Sequence, residues 1–107
     1  MNDGTAVLEP EVKRKVSRSK RWNVILWDSD HHSYEYVIKM MKSLFGHPEK
    51  VGERLAKRVD DDGKAVVYTT VLEQAEFKRD QIHSFGPDPK MASCKGAMKS
   101  TIEPVDD

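Results

Sequence analysis

The stretch from Trp22 to Phe45, WNVILWDSDHHSYEYVIKMMKSLF, constrains this chain more than any other. Val24, Ile25, Leu26 and Trp27 form an apolar run of strand length, and the turn Asp28-Ser29-Asp30 stops it abruptly. A helical pattern follows at once. Tyr34, Val37, Ile38, Met41, Leu44 and Phe45 recur at the spacing of one face of a 3.6-residue helix, which predicts an amphipathic helix packed on a sheet. Ser33 or His32 is the expected N-cap, and Glu35 suits the positive start of that helix. Strand, acidic corner and helix follow one another, so side chains from two rigid elements can converge on a ligand at the corner.

The rest of the chain supplies partners for these two elements. Gly46-His47-Pro48 breaks the helix, because glycine suits the left-handed position that ends one helix and proline the first turn of the next. A second helix is predicted from residue 48 to about residue 60, with a narrow apolar stripe of Val51, Leu55, Ala56 and Val59. Asp60 to Gly63 reads as an exposed turn, and Lys64 to Thr70 (KAVVYTT), rich in β-branched residues, as a strand. A third helix is expected from Val71 to about Phe85, with Val71, Ala75, Ile82 and Phe85 on its packed side. Gly86-Pro87-Asp88-Pro89 stops it, and a small-residue loop leads to a last strand over about 97–102. The order β-α-α-β-α-β implies an α+β fold, a small three-stranded antiparallel sheet packed on three helices.

Composition limits what such a domain can do. A chain of 107 residues holds one domain with one core, and a single cysteine, Cys94, rules out a disulfide framework or a multi-cysteine zinc site. No apolar run nears the roughly 20 residues of a membrane span, and no apolar leader is evident, so a cytoplasmic protein without membrane contact is expected. The 18 basic and 18 acidic residues cancel, but unevenly. Residues 1–21 hold six Lys or Arg against three Asp or Glu, leaving twelve against fifteen for residues 22–107. The first part is expected to be a disordered basic arm and the second the folded domain. An acidic domain is a poor phosphate binder but a suitable home for a cationic ligand.

Few residues carry chemistry. There is no glycine-rich phosphate loop, no Gly-x-Ser-x-Gly elbow and no Cys-x-x-Cys pair, so neither catalysis nor a cofactor is expected. Asp28, Asp30, His31, His32 and Asp60 include good metal ligands. However, adjacent histidines point different ways and no His-x3-His or Glu-x-x-His pair supports a metal site, so none is expected. Helix capping by a solvated Asp28-Ser29-Asp30 turn explains the same residues and is compatible with a binding role. The basic arm leaves a nucleic-acid-associated protein open as an alternative, although no aromatic residue is interleaved with its charges.

The run VILWDSDHHSYEYVIKMMKSLFGH, followed by EKVGERLAKRVDDDGKAVVYTTVLEQAEFK and later by MKSTIEP, resembles the ClpS adaptors of the bacterial Clp protease. The resemblance implies a monomeric α+β adaptor without catalysis. It would bind the N-terminal peptides of proteins bearing a destabilising first residue and hand them to a Clp-type AAA+ unfoldase of the ClpA or ClpC kind. By position, Asp28, Ser29, Asp30 and Asp60 would hold the α-amino group. His32, Tyr34, Val37, Ala56, Val59 and Met98 would border an apolar side-chain pocket, Glu73 and Lys78 would face the unfoldase, and the arm would engage it. Three site positions depart from the family pattern. Asp28-Ser29 stands for the usual Asn-Asp, Asp60 for a histidine, and Ala56 for a bulky methionine. An insertion around Pro87 to Gly96 is expected to be peripheral. A ClpS-like regulator that has lost peptide binding remains the second alternative.

Overall fold

The computed structural model describes residues 20–91 and 96–105. Apart from Lys20 and Arg21, the basic arm lies outside the described residues, as does Cys94. Strand β1 (Trp22–Trp27) is the middle of a three-stranded antiparallel sheet, between β2 (Lys64–Thr70) and β3 (Ser100–Pro104). Helices α1 (Tyr34–Phe45) and α2 (Glu49–Asp62) connect β1 to β2, and α3 (Leu72–His83) connects β2 to β3. This is the β-α-α-β-α-β order read from the sequence.

The central position of β1 accounts for its unbroken apolar run. Val24 and Leu26 point into the helical layer, where they meet Ala65 and Val67 of β2 in one core. Ile25 is buried on the opposite face, paired across the sheet with Val66 and Thr101. A middle strand has a neighbour on each side, so even Ile25, on the face away from the helices, is shielded by the side chains flanking it. The register slips once, between Val24 and Ile25, where the β2 partner jumps from Tyr68 to Val66.

Helix α1 is capped at both ends by the residues that punctuate the sequence. The Ser33 hydroxyl accepts from the Tyr36 amide at 3.1 Å. Gly46, at φ 70°, closes the other end in the left-handed region. Its buried stripe is Tyr36, Val37, Met40 and Met41, so the helix is rotated from the expected face: Tyr34 is 45% exposed and Ile38 only half-buried. Two neighbours cause the rotation. The chain after α3 covers Tyr36, whose hydroxyl donates to the Gly86 carbonyl at 2.5 Å, while Tyr34 reaches sideways to α2.

Three expected boundaries move. Helix α2 runs on through Asp62, so the carboxylates expected in a turn form the last helical turn, closed by Gly63 at φ 86°. Helix α3 is shorter than expected. Val71 is its exposed N-cap rather than a packed residue, and Phe85 lies beyond its end, edge-on to Tyr36 with ring centroids 5.5 Å apart. The last strand begins at Ser100, about three residues late, because pairing from Leu26↔Ser100 to Trp22↔Pro104 uses nearly the full length of β1.

Helices α1 and α2 cross closely at Gly52, where an added Cβ would stand 3.2 Å from the Ile38 Cα. That backbone atom cannot rotate away. A Gly52→Val substitution is therefore expected to lower the unfolding free energy by about 1 to 3 kcal/mol through overpacking, measured by urea denaturation, and an unchanged midpoint would contradict this crossing.

Candidate functional site

The acidic corner is built where β1 ends. The Trp27 amide donates to the Lys99 carbonyl at 3.0 Å and the Asp28 amide to the Gly63 carbonyl at 2.9 Å. The second bond sets the corner against the C-terminal end of α2. Inside the corner, Asp28 Oδ1 accepts from the Ser29 amide at 2.8 Å, and Ser29 Oγ accepts from the His31 amide at 3.2 Å. Ser29 Oγ also lies 2.7 Å from His32 Nδ1, and His32 Nε2 lies 2.8 Å from the Gly96 carbonyl. A carbonyl can only accept, so Nε2 carries a proton, and in the neutral ring Nδ1 accepts from the Ser29 hydroxyl.

The end of α2 is electrostatically unusual. Its last turn holds Asp60, Asp61 and Asp62 and no basic residue, at the end of a helix where the macrodipole disfavours negative charge. Two of the three are answered locally. Asp61 pairs with Lys57 at 2.9 Å, which raises the lysine pKa first through that hydrogen bond. Asp60 accepts from the Tyr34 hydroxyl at 2.9 Å, and this bond is the main reason the phenol pKa is raised. Tyr34 therefore ties the start of α1 to the end of α2.

Counting acceptors shows what remains for a ligand. A carboxylate offers two oxygens, and a hydroxyl two lone pairs beside its proton. One oxygen of Asp28, one of Asp60 and a lone pair on Ser29 are used by the bonds above, so each keeps acceptor capacity, and exposed Asp30 stands beside them. Among the described residues, no three His, Cys, Asp or Glu side chains are placed to share a metal ion.

The residues expected around the side-chain pocket divide in two. Val37, Ala56, Val59 and Met98 are in the closed core, with Ala56 only 2% exposed. His32 and Tyr34 stand at its edge, His32 tilted against Tyr36 with centroids 4.7 Å apart. A separate concavity of about 260 Å3 lies on the far side of α1 between Tyr36, Lys39, Phe85 and the 87–90 segment, and it contains none of the six. Glu35 and Lys90 pair across its rim at 2.9 Å. Glu73 is exposed on α3. Lys78 is already engaged: its ammonium donates to the Leu44 carbonyl at 2.6 Å, a favourable place for a cation at the end of α1.

One important residue was missed by sequence reasoning. Asp88, between two prolines, reads as part of a helix stop, yet it is 3% exposed and anchors the corner. Its Oδ2 accepts from both the amide and the hydroxyl of Ser33 at 2.7 Å, and its Oδ1 from the Lys90 amide at 2.9 Å. Burial opposes ionisation of this carboxyl, but the Ser33 and Lys90 amides, the Ser33 hydroxyl and, last, positive charge on His32 hold its pKa below the ordinary value. The described parts of the insertion are therefore not peripheral. Asp88 holds the α1 cap and Gly96 holds His32.

A family model described as ATP-dependent Clp protease adaptor protein ClpS matches residues 17–90. The chain belongs to the ClpS family. The ClpS of Mycobacterium leprae is 33% identical over 91 residues, covering 76% of this chain and 84% of that protein. ClpS 2 of Agrobacterium fabrum is 30% identical over 80 residues, covering 75% and 78%. Among solved structures, Agrobacterium tumefaciens ClpS2 bound to L-phenylalaninamide superposes with a TM-score of 0.70 at 28% identity, over 82% of this chain and all of that one. ClpS proteins are adaptors of the Clp protease, and the three-helix, three-stranded architecture of this chain is theirs. No helix among the described residues is long and apolar enough to cross a membrane.

Because the folded-state pKa of Asp88 is depressed, its stabilising contribution is present above the ordinary aspartate pKa of about 3.9 and is lost as pH falls through the lower folded value. Asp88→Ala is expected to cost about 1.5 to 3 kcal/mol at pH 7, the range for hydrogen bonds to a charged group. The gap from wild type should narrow below about pH 4. Urea titrations of both proteins across pH check this, and a gap independent of pH would contradict it.

Proposed function

We propose that this protein binds polypeptides by a free α-amino group and a large apolar first side chain, and delivers them as a monomeric cytoplasmic adaptor to a ClpA- or ClpC-like unfoldase. Its work is recognition, not catalysis. The observation that carries the reading is the likeness to Agrobacterium tumefaciens ClpS2, whose structure holds L-phenylalaninamide. That ligand has the amino group and benzyl side chain of a first residue, with a primary amide standing in for the continuing chain.

The chemistry of the corner supports the same reading. An α-ammonium has one charge and three donors, and is satisfied by a few charge-assisted bonds to oxygen. Asp28, Ser29 and Asp60 keep acceptors for it, with Asp30 beside them, and three carboxylates at the negative end of a helix favour a cation. The departures from the family pattern at Asp28 and Asp60 increase negative charge here. Val37, Ala56, Val59 and Met98 would border the first side chain, with His32 and Tyr34 at the mouth. Ala56, smaller than the methionine usual there, would leave more room for a branched first side chain. Exposed Glu73, with Lys78 on the same helix, would face the unfoldase, and the basic arm would engage it.

Fluorescence anisotropy with labelled peptides tests the reading. Burying a first-position Phe contributes about 1.5 to 3 kcal/mol, so a Phe-first peptide should bind tenfold or more tighter than a Ser-first one. Acetylating its amino group should cost at least as much, at roughly 1.5 to 3 kcal/mol per charged hydrogen bond. Asp28→Asn combined with Asp60→Asn should weaken only the free-amine peptide. Equal binding of free and acetylated peptides would end the amino-group reading, and no binding of either would leave a regulator without peptide recognition.

A further inference from the structure

The sheet has a second face, and its character differs from that of the rest of the domain. Register places Asn23, Ile25 and Trp27 of β1 on the side away from the helices, with Lys64 and Val66 on one flank and Thr101 and Glu103 on the other. Val66 is 41% exposed there. The Lys64 ammonium lies 4.9 Å from the centroid of the Trp27 ring and that of Lys99 5.1 Å, while the indole N–H donates to Thr101 Oγ1 at 2.8 Å. Two cations are thus held against one exposed-side aromatic ring. Beside them, a depression of about 220 Å3 is lined by Ile25, Arg58, Lys64, Val66 and Glu103 among others. No carboxylate pairs with Arg58, Lys64 or Lys99 among the described residues. Of the outward-facing strand residues, Glu103 alone is acidic, and it sits opposite Asn23, four residues along β1 from Trp27.

This basic face is continuous with the corner. Trp27 precedes Asp28, its amide is bonded to the Lys99 carbonyl, and the Asp28 amide is bonded to Gly63, the neighbour of Lys64. Resting on the peptide-binding function proposed above, we infer that the face receives the bound polypeptide's own chain just after its first residue, and that it selects acidic residues there. An extended chain advances about 3.3 Å per residue, so the second to fourth residues come within reach of a surface adjoining Asp28. Carboxylates at those positions meet three cations that have no ion pair among the described residues. A nucleic acid fits less well, because the two ammoniums occupy the ring surface on which a base would stack.

The inference opposes what overall charge alone would favour. Residues 22–107 carry twelve basic against fifteen acidic residues, and the amino-group site is itself acidic, so the general field attracts cationic chains. Only a local basic surface, acting within a screening length of about 8 Å at physiological salt, reverses that order.

Two labelled peptides, one beginning Phe-Asp-Glu-Asp and one Phe-Lys-Arg-Lys with identical remainders, are titrated against wild type and the Lys64→Glu, Lys99→Glu double variant. The expected result is at least fivefold tighter binding of the acidic peptide by wild type, a smaller ratio at high salt, and reversal of the order by the double variant. Both substituted side chains are exposed, so folding is retained, as circular dichroism checks. Equal affinities, or tighter binding of the basic peptide by wild type, overturn the inference while leaving recognition of the first residue intact. If neither Phe-first peptide binds, the peptide-binding reading fails and the inference falls with it. A single-stranded oligonucleotide that binds wild type but not the double variant would assign the face to nucleic acid and also overturn it.

Discussion

Every part of the candidate site depends on β1 being hydrogen-bonded along both edges. A strand with partners on both sides cannot shift its register without breaking two ladders, so its end is held rigidly in place. That end is Trp27, and the corner begins with the next residue. Its last bonds, to Lys99 and Gly63, belong to the segments entering β3 and β2. The corner is thereby held from both sides before any side chain contributes. Loop residues placed by a rigid scaffold in this way hold a ligand-ready geometry that an isolated turn does not.

Around that anchor, local preference and position conflict in one place. Aspartates are poor residues for the C-terminal turn of a helix, and α2 ends in three. Lys57 answers Asp61, and the Tyr34 hydroxyl answers Asp60 without neutralising it. The remaining negative potential is open to a cation, which fits the ammonium reading. Sites where a sequence violates its own local rules are where function is expected. The same reasoning covers the outer face, where lysines lean on an indole ring and no carboxylate among the described residues pairs with them.

The opposite side of the corner shows how a buried carboxylate is made tolerable. Asp88 is surrounded by donors, and its ionised form is the one those donors favour. Through Ser33 it holds the start of α1, and His32 sits between this buttress and Ser29. Tyr34 and Tyr36, two residues apart and on opposite faces of one helix, bind different neighbours: Asp60 on α2 and Gly86 beyond α3. The N-terminal turn of α1 is braced from two directions, and the corner it follows is braced with it.

Much of this was legible in the residues alone. The apolar run of β1, the 3.6-residue stripe after it, the glycines at 46 and 63 and the KAVVYTT strand determine the elements and their order, because they act through short-range backbone geometry and periodicity. The corner residues, and the match of this pattern to ClpS, were visible at the same level. Tertiary structure alone decided the rotation of α1, the continuation of α2 through Asp62 and the late start of β3, since each depends on what a distant segment offers. It also decided the role of Asp88. A carboxylate in a Pro-Asp-Pro turn looks solvated until the chain folds back 55 residues to put the amide and hydroxyl of Ser33 against it. Local signals set which elements form. Which polar atoms meet is set by packing, and no one-dimensional pattern encodes that.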